Sequence, residues 1–164
     1  MKYSGIIVLA LFLTVSGWAD IPLPQADRLL VKKSERALYL IKDGKAFRKY
    51  KIALGDNPVG HKQQVGDRRT PEGRYIIDWR KNSFRHYKAL HISYPNQRDI
   101  RYAKERGVNP GSMIMIHGLP TSFDWTGRCI QDVDWTNGCI AVTNSEIDEL
   151  WKCVKDGTPI EIMP

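Results

Sequence analysis

Cys139 closes the tetrad Thr136-Asn137-Gly138-Cys139, and His117-Gly118 lies upstream at the end of an apolar run. A thiol and an imidazole delivered in this way are the minimum set for thiolate catalysis. A thiol is a poor nucleophile until a base or a positive neighbour makes it a thiolate. Gly138 permits a tight backbone approach, and the successive amides of Gly138 and Cys139 could point at a developing oxyanion. Gly118 leaves the neighbourhood of His117 open, and a nearby carbonyl could hold the ring in one tautomer. Taken singly, Cys139 also reads as a buried structural thiol and His117 as a satisfied strand-end histidine. Only the pair points to chemistry.

Competing chemistry is scarce. His61 and His86 fall in polar surroundings, and His91 sits within a strand pattern. No HExxH, HxH or Cys/His spacing is present, so no metal and no other cofactor is expected. Neither a GxSxG elbow nor a P-loop occurs. The three cysteines contain no CxxC. Cys129 and Cys153 are read as ordinary thiols, the alternative being a disulfide between them that leaves Cys139 free. Trp125 and Trp135 could stack on a glycan or serve as packing anchors. Arg68, Arg69 and Arg128 could bind an acidic group or simply be solvated. Ser112 and Tyr94 are weaker candidates for a cleft lining.

The elements that must position the pair are mostly strands. Leu29 to Val31 and Leu38 to Ile41 are apolar runs, Asp43-Gly44 reads as a hairpin turn, and Phe47 to Leu54 as its return strand. A Gly-rich loop from Gly55 to Pro71 leads through Thr70-Pro71-Glu72-Gly73 into strands at Arg74 to Trp79 and Ala89 to Tyr94. A short helix is expected over Gln97 to Arg106. Met113 to Ile116 reads as a central strand buried on both faces, with His117 at its end. Leu119 to Asp134 is a long ordered loop, of a length often functional. Thr143-Asn144-Ser145-Glu146 matches a capping box, and Ile147, Leu150, Trp151 and Val154 form the core-facing stripe of a helix. Cys139 lies ahead of that cap, so the helix dipole helps it little. Ile160 to Met163 closes with a strand. The sum is a mainly β fold, a sandwich of mixed sheets with one or two helices.

Lys2, an apolar core from Ile6 to Val15 and the small residues Gly17 and Ala19 read as a signal peptide over residues 1–19, leaving residues 20–164 as one domain. The apolar run is short for a bilayer span, so no stable membrane insertion is expected after cleavage. The net charge of +7 suits an exported protein that meets anionic polymers, in the periplasm or cell envelope. Nucleic acid is disfavoured for want of any recognisable binding module.

His117-Gly118 followed by Thr136-Asn137-Gly138-Cys139 resembles the L,D-transpeptidase catalytic domain, the YkuD-type family of peptidoglycan enzymes. The resemblance takes in the Thr70-Pro71-Glu72-Gly73 turn and the helix and strand after Cys139, from about Asp27 to Met163. It implies a sandwich fold with the cysteine at the base of a cleft covered by the spacer loop. It implies that Cys139 attacks the amide between a diaminoacyl residue and a terminal D-alanine of a stem peptide. His117 would take the thiol proton, with Gly118 orienting its ring. The amides of Gly138 and Cys139 would form the oxyanion hole, while Asn137 and Thr136 would meet substrate. An amine of another stem would then resolve the thioester into a crosslink.

Two positions depart from the family pattern. Asn137 stands where a second histidine is usual and cannot relay a proton. Ala141 stands where an arginine usually pairs with a substrate carboxylate. The Gly-Cys-Ile-Ala form resembles a branch that includes an enzyme hydrolysing the link between peptidoglycan and an attached lipoprotein. Water thus competes with an amine as acceptor, and the hydrolase alternatives are a carboxypeptidase, an endopeptidase or an amidase releasing wall-linked protein. A noncatalytic wall-binding module would not need both Cys139 and His117.

Overall fold

The computed structural model describes residues 23–83, 86–119 and 131–164. The expected signal peptide lies outside them, as do Cys129, Trp125 and Arg128.

Alternation builds the first strands. In β1 (Arg28–Lys32) Leu29 and Val31 are buried while their neighbours are not. It pairs antiparallel with β2 (Ala37–Lys42), which turns into β3 (Lys45–Lys51). Asp43 and Gly44 both take positive φ, 49° and 77°. That is the two-residue hairpin geometry the Asp-Gly pair predicts. The lysine-rich β3 is largely exposed, a composition that discourages further pairing along an edge.

The sheet continues through β8 (Pro159–Met163), parallel to β1, and then β4 (Gly73–Ser83). β4 is 11 residues long. Its first part pairs with β8 and its later part with β5 (Tyr87–Ile92), so one strand carries the sheet round its bend. β6 (Met115–His117) and the short β7 (Ile140–Ala141) complete the order β3-β2-β1-β8-β4-β5-β6-β7. The mainly β architecture is as expected, with its layers formed by a single mixed, curled sheet. Beyond β3 the chain runs on to meet β7: Ala53 and Ala141 exchange two backbone hydrogen bonds at 2.9 and 3.0 Å. The two margins of the sheet therefore touch at a seam.

Inside the curl sit Leu38, Leu40, Ile52, Leu54, Ile77, Leu90, Ile116 and Ile140, all fully buried. Each such side chain contributes roughly 1.5–3 kcal/mol of hydrophobic stabilisation. Helix α2 (Asn144–Cys153) adds Ile147 and Leu150. Its capping box forms as the sequence predicts: Thr143 accepts from the Glu146 amide, and Glu146 accepts from the Thr143 amide at 2.8 Å. Trp151 departs from the expected core stripe. It is half-buried, with Arg80 and Lys88 stacked over its ring.

Helix α1 (Gln97–Glu105) matches its expected span, capped by Asn96. The central strand is shorter than expected. Met113 lies outside it, half-exposed with φ +62°, because the chain is still turning after Gly111 (φ +78°). The strand proper begins at Met115, one residue after Ile114, whose carbonyl accepts from the Ile92 amide at 2.9 Å.

Candidate active site

His117 ends β6, and Cys139 immediately precedes β7. Parallel pairing sets Ile116 against Ile140 and His117 against Ala141, so neighbouring strands deliver the imidazole and the thiol. Gly118 is small for a packing reason. A Cβ there would come 2.5 Å from Asn144 Oδ1 and 3.0 Å from Ile147 Cγ2, so the N-terminal end of α2 presses directly on the residue after the histidine.

The His117 Nδ1 lies 2.6 Å from the Gly118 carbonyl oxygen. A carbonyl only accepts, so Nδ1 carries the hydrogen and Nε2 keeps its lone pair. The ring is 2% exposed. His86 lies against it with centroids 4.4 Å apart, and Trp135 meets it edge-on at 5.9 Å. Burial pulls the His117 pKa down to about 4, against the Gly118 hydrogen bond, which raises it. The imidazole is therefore neutral at pH 7.

Cys139 opens on a cavity of about 520 Å³ lined also by Lys62, Val65, Arg68, Ser112, Met113 and Asn137. Its Sγ lies 3.6 Å from the Met113 carbonyl oxygen. Burial pushes the thiol pKa up, while a backbone hydrogen bond from Met115 and the positive charge of Lys62 pull the other way. Both groups are therefore held toward their neutral forms, the imidazole on one strand and the thiol ahead of its neighbour. Neither shift favours a stored thiolate–imidazolium pair.

The Thr136–Cys139 turn is held from within. Thr136 is 4% exposed, and its hydroxyl donates to the Cys139 carbonyl at 2.7 Å while accepting from the Gly138 amide at 3.0 Å. Expected to meet substrate, Thr136 instead uses its one donor and one acceptor bond within the turn. The Gly138 amide, expected to face an oxyanion, is held by the same hydroxyl. Asn137 is exposed and lines the cavity. Ala141 is fully buried in the seam.

Other expectations resolve individually. Trp135 packs on His117 as an anchor. Arg68 lines the cavity mouth and pairs with Asp56 at 2.5 Å. Ser112 lines the cavity, whereas Tyr94 is buried and donates to the Pro110 carbonyl at 2.9 Å. Cys153 is a free, buried thiol. Among the described residues no three His, Cys, Asp or Glu side chains are grouped to hold a metal ion, and no helix is long and apolar enough to cross a membrane.

Three features carry no sequence signal: His86 beside the imidazole, Lys62 in the cavity wall, and the buried Lys33. Lys33, 2% exposed, donates to the carbonyls of Gly60 (2.7 Å) and Thr70 (3.2 Å) and to Glu72 Oε1 (2.7 Å), clamping the Gly-rich loop at both ends. Isolated basic residues in loops and turns carry no motif that would have marked them.

Comparison with known proteins agrees with this geometry. The family YkuD, the L,D-transpeptidase catalytic domain, matches residues 26–162. The Escherichia coli K12 protein named "Putative L,D-transpeptidase YafK" is 34% identical over 128 residues, which cover 74% of this chain and 44% of that protein. Among solved structures, the helical cell shape determining protein Pgp2 of Campylobacter jejuni superposes with a TM-score of 0.61 at 29% identity, covering 82% of this chain and 46% of Pgp2. Bdellovibrio bacteriovorus Bd1075 gives 0.57 at 27% identity, covering 83% and 47%. The chain thus spans less than half the length of each of these relatives. The family acts on peptidoglycan, which implies an extracytoplasmic location. The chain belongs to the L,D-transpeptidase catalytic domain family.

Proposed function

We propose that this protein is an exported cysteine L,D-transpeptidase of peptidoglycan stem peptides, with residues 1–19 removed on export and residues 20–164 forming the catalytic domain. The observation that carries the reading is the fixed tautomer of His117. Its Nδ1 hydrogen is held by Gly118, which leaves Nε2 as a proton acceptor on the strand beside Cys139.

In the first step, Nε2 takes the thiol proton as Sγ attacks the carbonyl carbon of the diaminoacyl residue. The tetrahedral oxyanion is met by backbone amides. Because Thr136 already holds the Gly138 amide, the Cys139 amide is the first donor, and Gly138 joins only if that hydroxyl lets go. Collapse breaks the C–N bond. D-alanine leaves with the proton returned by the imidazolium, and a thioester remains. An amine of a second stem attacks the thioester, the thiolate departs and regains a proton, and a crosslink is complete.

Hydrolysis is the second reading, favoured by one observation. Ala141 is fully buried and uncharged where the family carries an arginine. With water as acceptor, the same thioester would yield a shortened stem or a released wall-linked protein.

The test is mass spectrometry of muropeptides after incubation with purified sacculi or tetrapeptide muropeptides, with Cys139→Ala as control. Cys139-dependent dimers lacking one D-alanine support transpeptidation. Cleaved products without new dimers assign the chain to hydrolysis. Identical products from both preparations would sink the enzymatic reading.

A further inference from the structure

Ala141 leaves a substrate carboxylate without its usual partner, and the position cannot be refitted with a long cation. It is 0% exposed, and both its N–H and its C=O are bonded to Ala53 across the seam. A counter-charge must come from another wall of the cavity. Two cations line it, Lys62 and Arg68. The Arg68 side chain is 57% exposed and already paired with an equally accessible Asp56, a pair that water and salt weaken.

Lys62 is different in kind. It is 3% exposed and donates to Asp67 Oδ1 at 2.8 Å and to the Gln64 carbonyl at 3.1 Å. An ammonium has three donors, and these bonds use two. Asp67 is itself satisfied by the backbone: its carboxylate accepts the amides of Gln63 (2.6 Å), Gln64 (3.0 Å) and Arg69 (3.0 Å). Its charge is spread over those donors, so it orients Lys62 without fully neutralising it. The lysine stem packs over Gly111, where a Cβ would lie 3.6 Å from Cε. The ammonium is close enough to Cys139 for its charge to favour the thiolate.

We propose that Lys62 is the specificity-determining cation of this site and binds the free carboxylate of the leaving D-amino acid. The inference rests on the transpeptidase reading for its substrate. In a stem peptide that carboxylate lies one residue beyond the scissile carbonyl, which places it in the cavity Cys139 shares with Lys62. Asp67 is a positioning residue that aims the ammonium.

Two measurements test this, and the first needs no wall substrate. Cys139 in the whole protein is alkylated with anionic iodoacetate and with neutral iodoacetamide, read on the Cys139 peptide by mass mapping. Lys62→Met is expected to lower the iodoacetate-to-iodoacetamide rate ratio about tenfold, and Lys62→Arg to keep it within about threefold. Lys62→Gln carries the same comparison if the Met variant fails to fold. In the second measurement, a tetrapeptide with a free terminal carboxylate is compared with its C-terminal amide. The wild-type protein should favour the carboxylate about tenfold or more in KM, and Lys62→Met should lose that preference. An unchanged alkylation ratio overturns the proposal, as does a preference that survives Lys62→Met or disappears in Arg68→Gln instead. If the alkylation ratio falls while no peptide is turned over by any form, the anion site stands and the transpeptidase reading fails.

Discussion

Gly138 packs its α-carbon against the Arg69 carbonyl oxygen so closely that a Cβ would stand only 2.6 Å from that oxygen. Its φ of +122° is also one that side-chain-bearing residues rarely adopt. The residue before Cys139 is thus fixed as glycine by strain and by contact together. Gly138→Ala should destabilise the fold by about 2–3 kcal/mol. Urea denaturation measures this directly, and a change below about 0.5 kcal/mol would refute the contact.

Thr136 bonds both sides of the same turn, so removing its hydroxyl while keeping its shape is informative. Thr136→Val leaves the Gly138 amide and the Cys139 carbonyl without this partner, for a loss of about 1–3 kcal/mol. Thr136→Ser should recover most of it. Equal stability of the Val and Ser variants would show that the hydroxyl does not hold the turn.

The pairing of a raised thiol pKa with a lowered imidazole pKa sets a pH dependence. At pH 7 Cys139 should be alkylated by iodoacetamide more slowly than free cysteine, and its rate should keep climbing toward pH 9. A plateau near neutrality would indicate a stored thiolate–imidazolium pair instead. His117→Ala should leave that alkylation profile almost unchanged yet reduce turnover of stem peptides by about a hundredfold or more.

His117 also couples stability to pH. Its pKa falls from an ordinary value of 6.5 to about 4 on folding. Between those values the unfolded chain binds a proton that the folded protein refuses. The contribution is therefore intact above about pH 6.5 and lost as pH drops toward 4, by up to about 3 kcal/mol. His117→Gln should flatten the denaturation midpoint across that window. Asp67 and Asp99, both held below their ordinary 3.8, act only at lower pH, so the two effects separate.

Lys33 holds Gly60, Thr70 and Glu72 together from a buried position. Lys33→Met keeps the apolar stem and removes the clamp. The expected loss is about 2–3 kcal/mol, accompanied by faster proteolytic nicking between residues 60 and 72. Protease resistance equal to wild type would show that the loop is held elsewhere.

Most of the strand order's raw material was legible from local pattern. Asp43-Gly44 specifies its hairpin, alternation specifies β1, and Thr143 with Glu146 specifies the start of α2, because each signal acts within a few residues. Cys139 and His117 stood out because their residue types are rare in this chain, and the β6–β7 pairing brings their strands side by side. Tertiary placement was not. Nothing near Met113 in sequence says that it stays outside the strand, and nothing near His86 says that its ring meets His117. The dual role of Thr136 depends on a backbone turn, and the burial of Lys62 depends on a loop folded over Gly111. Such contacts are created by the closure of the sheet rather than by neighbours along the chain.

The contact between Ala53 and Ala141 also orders events in time. Strands that meet there are far apart in sequence, and such pairings form late because a long stretch of chain must be ordered first. The residues flanking Ala141 include the thiol, and those following Ala53 lead into the loop that carries Lys62. Until that seam closes, the loop carrying Lys62 and the turn carrying Cys139 have no common wall, and the cavity they line does not exist. The site is thus a product of the last closure of the sheet, and any loosening of the seam would dismantle the cavity before it unravelled the core.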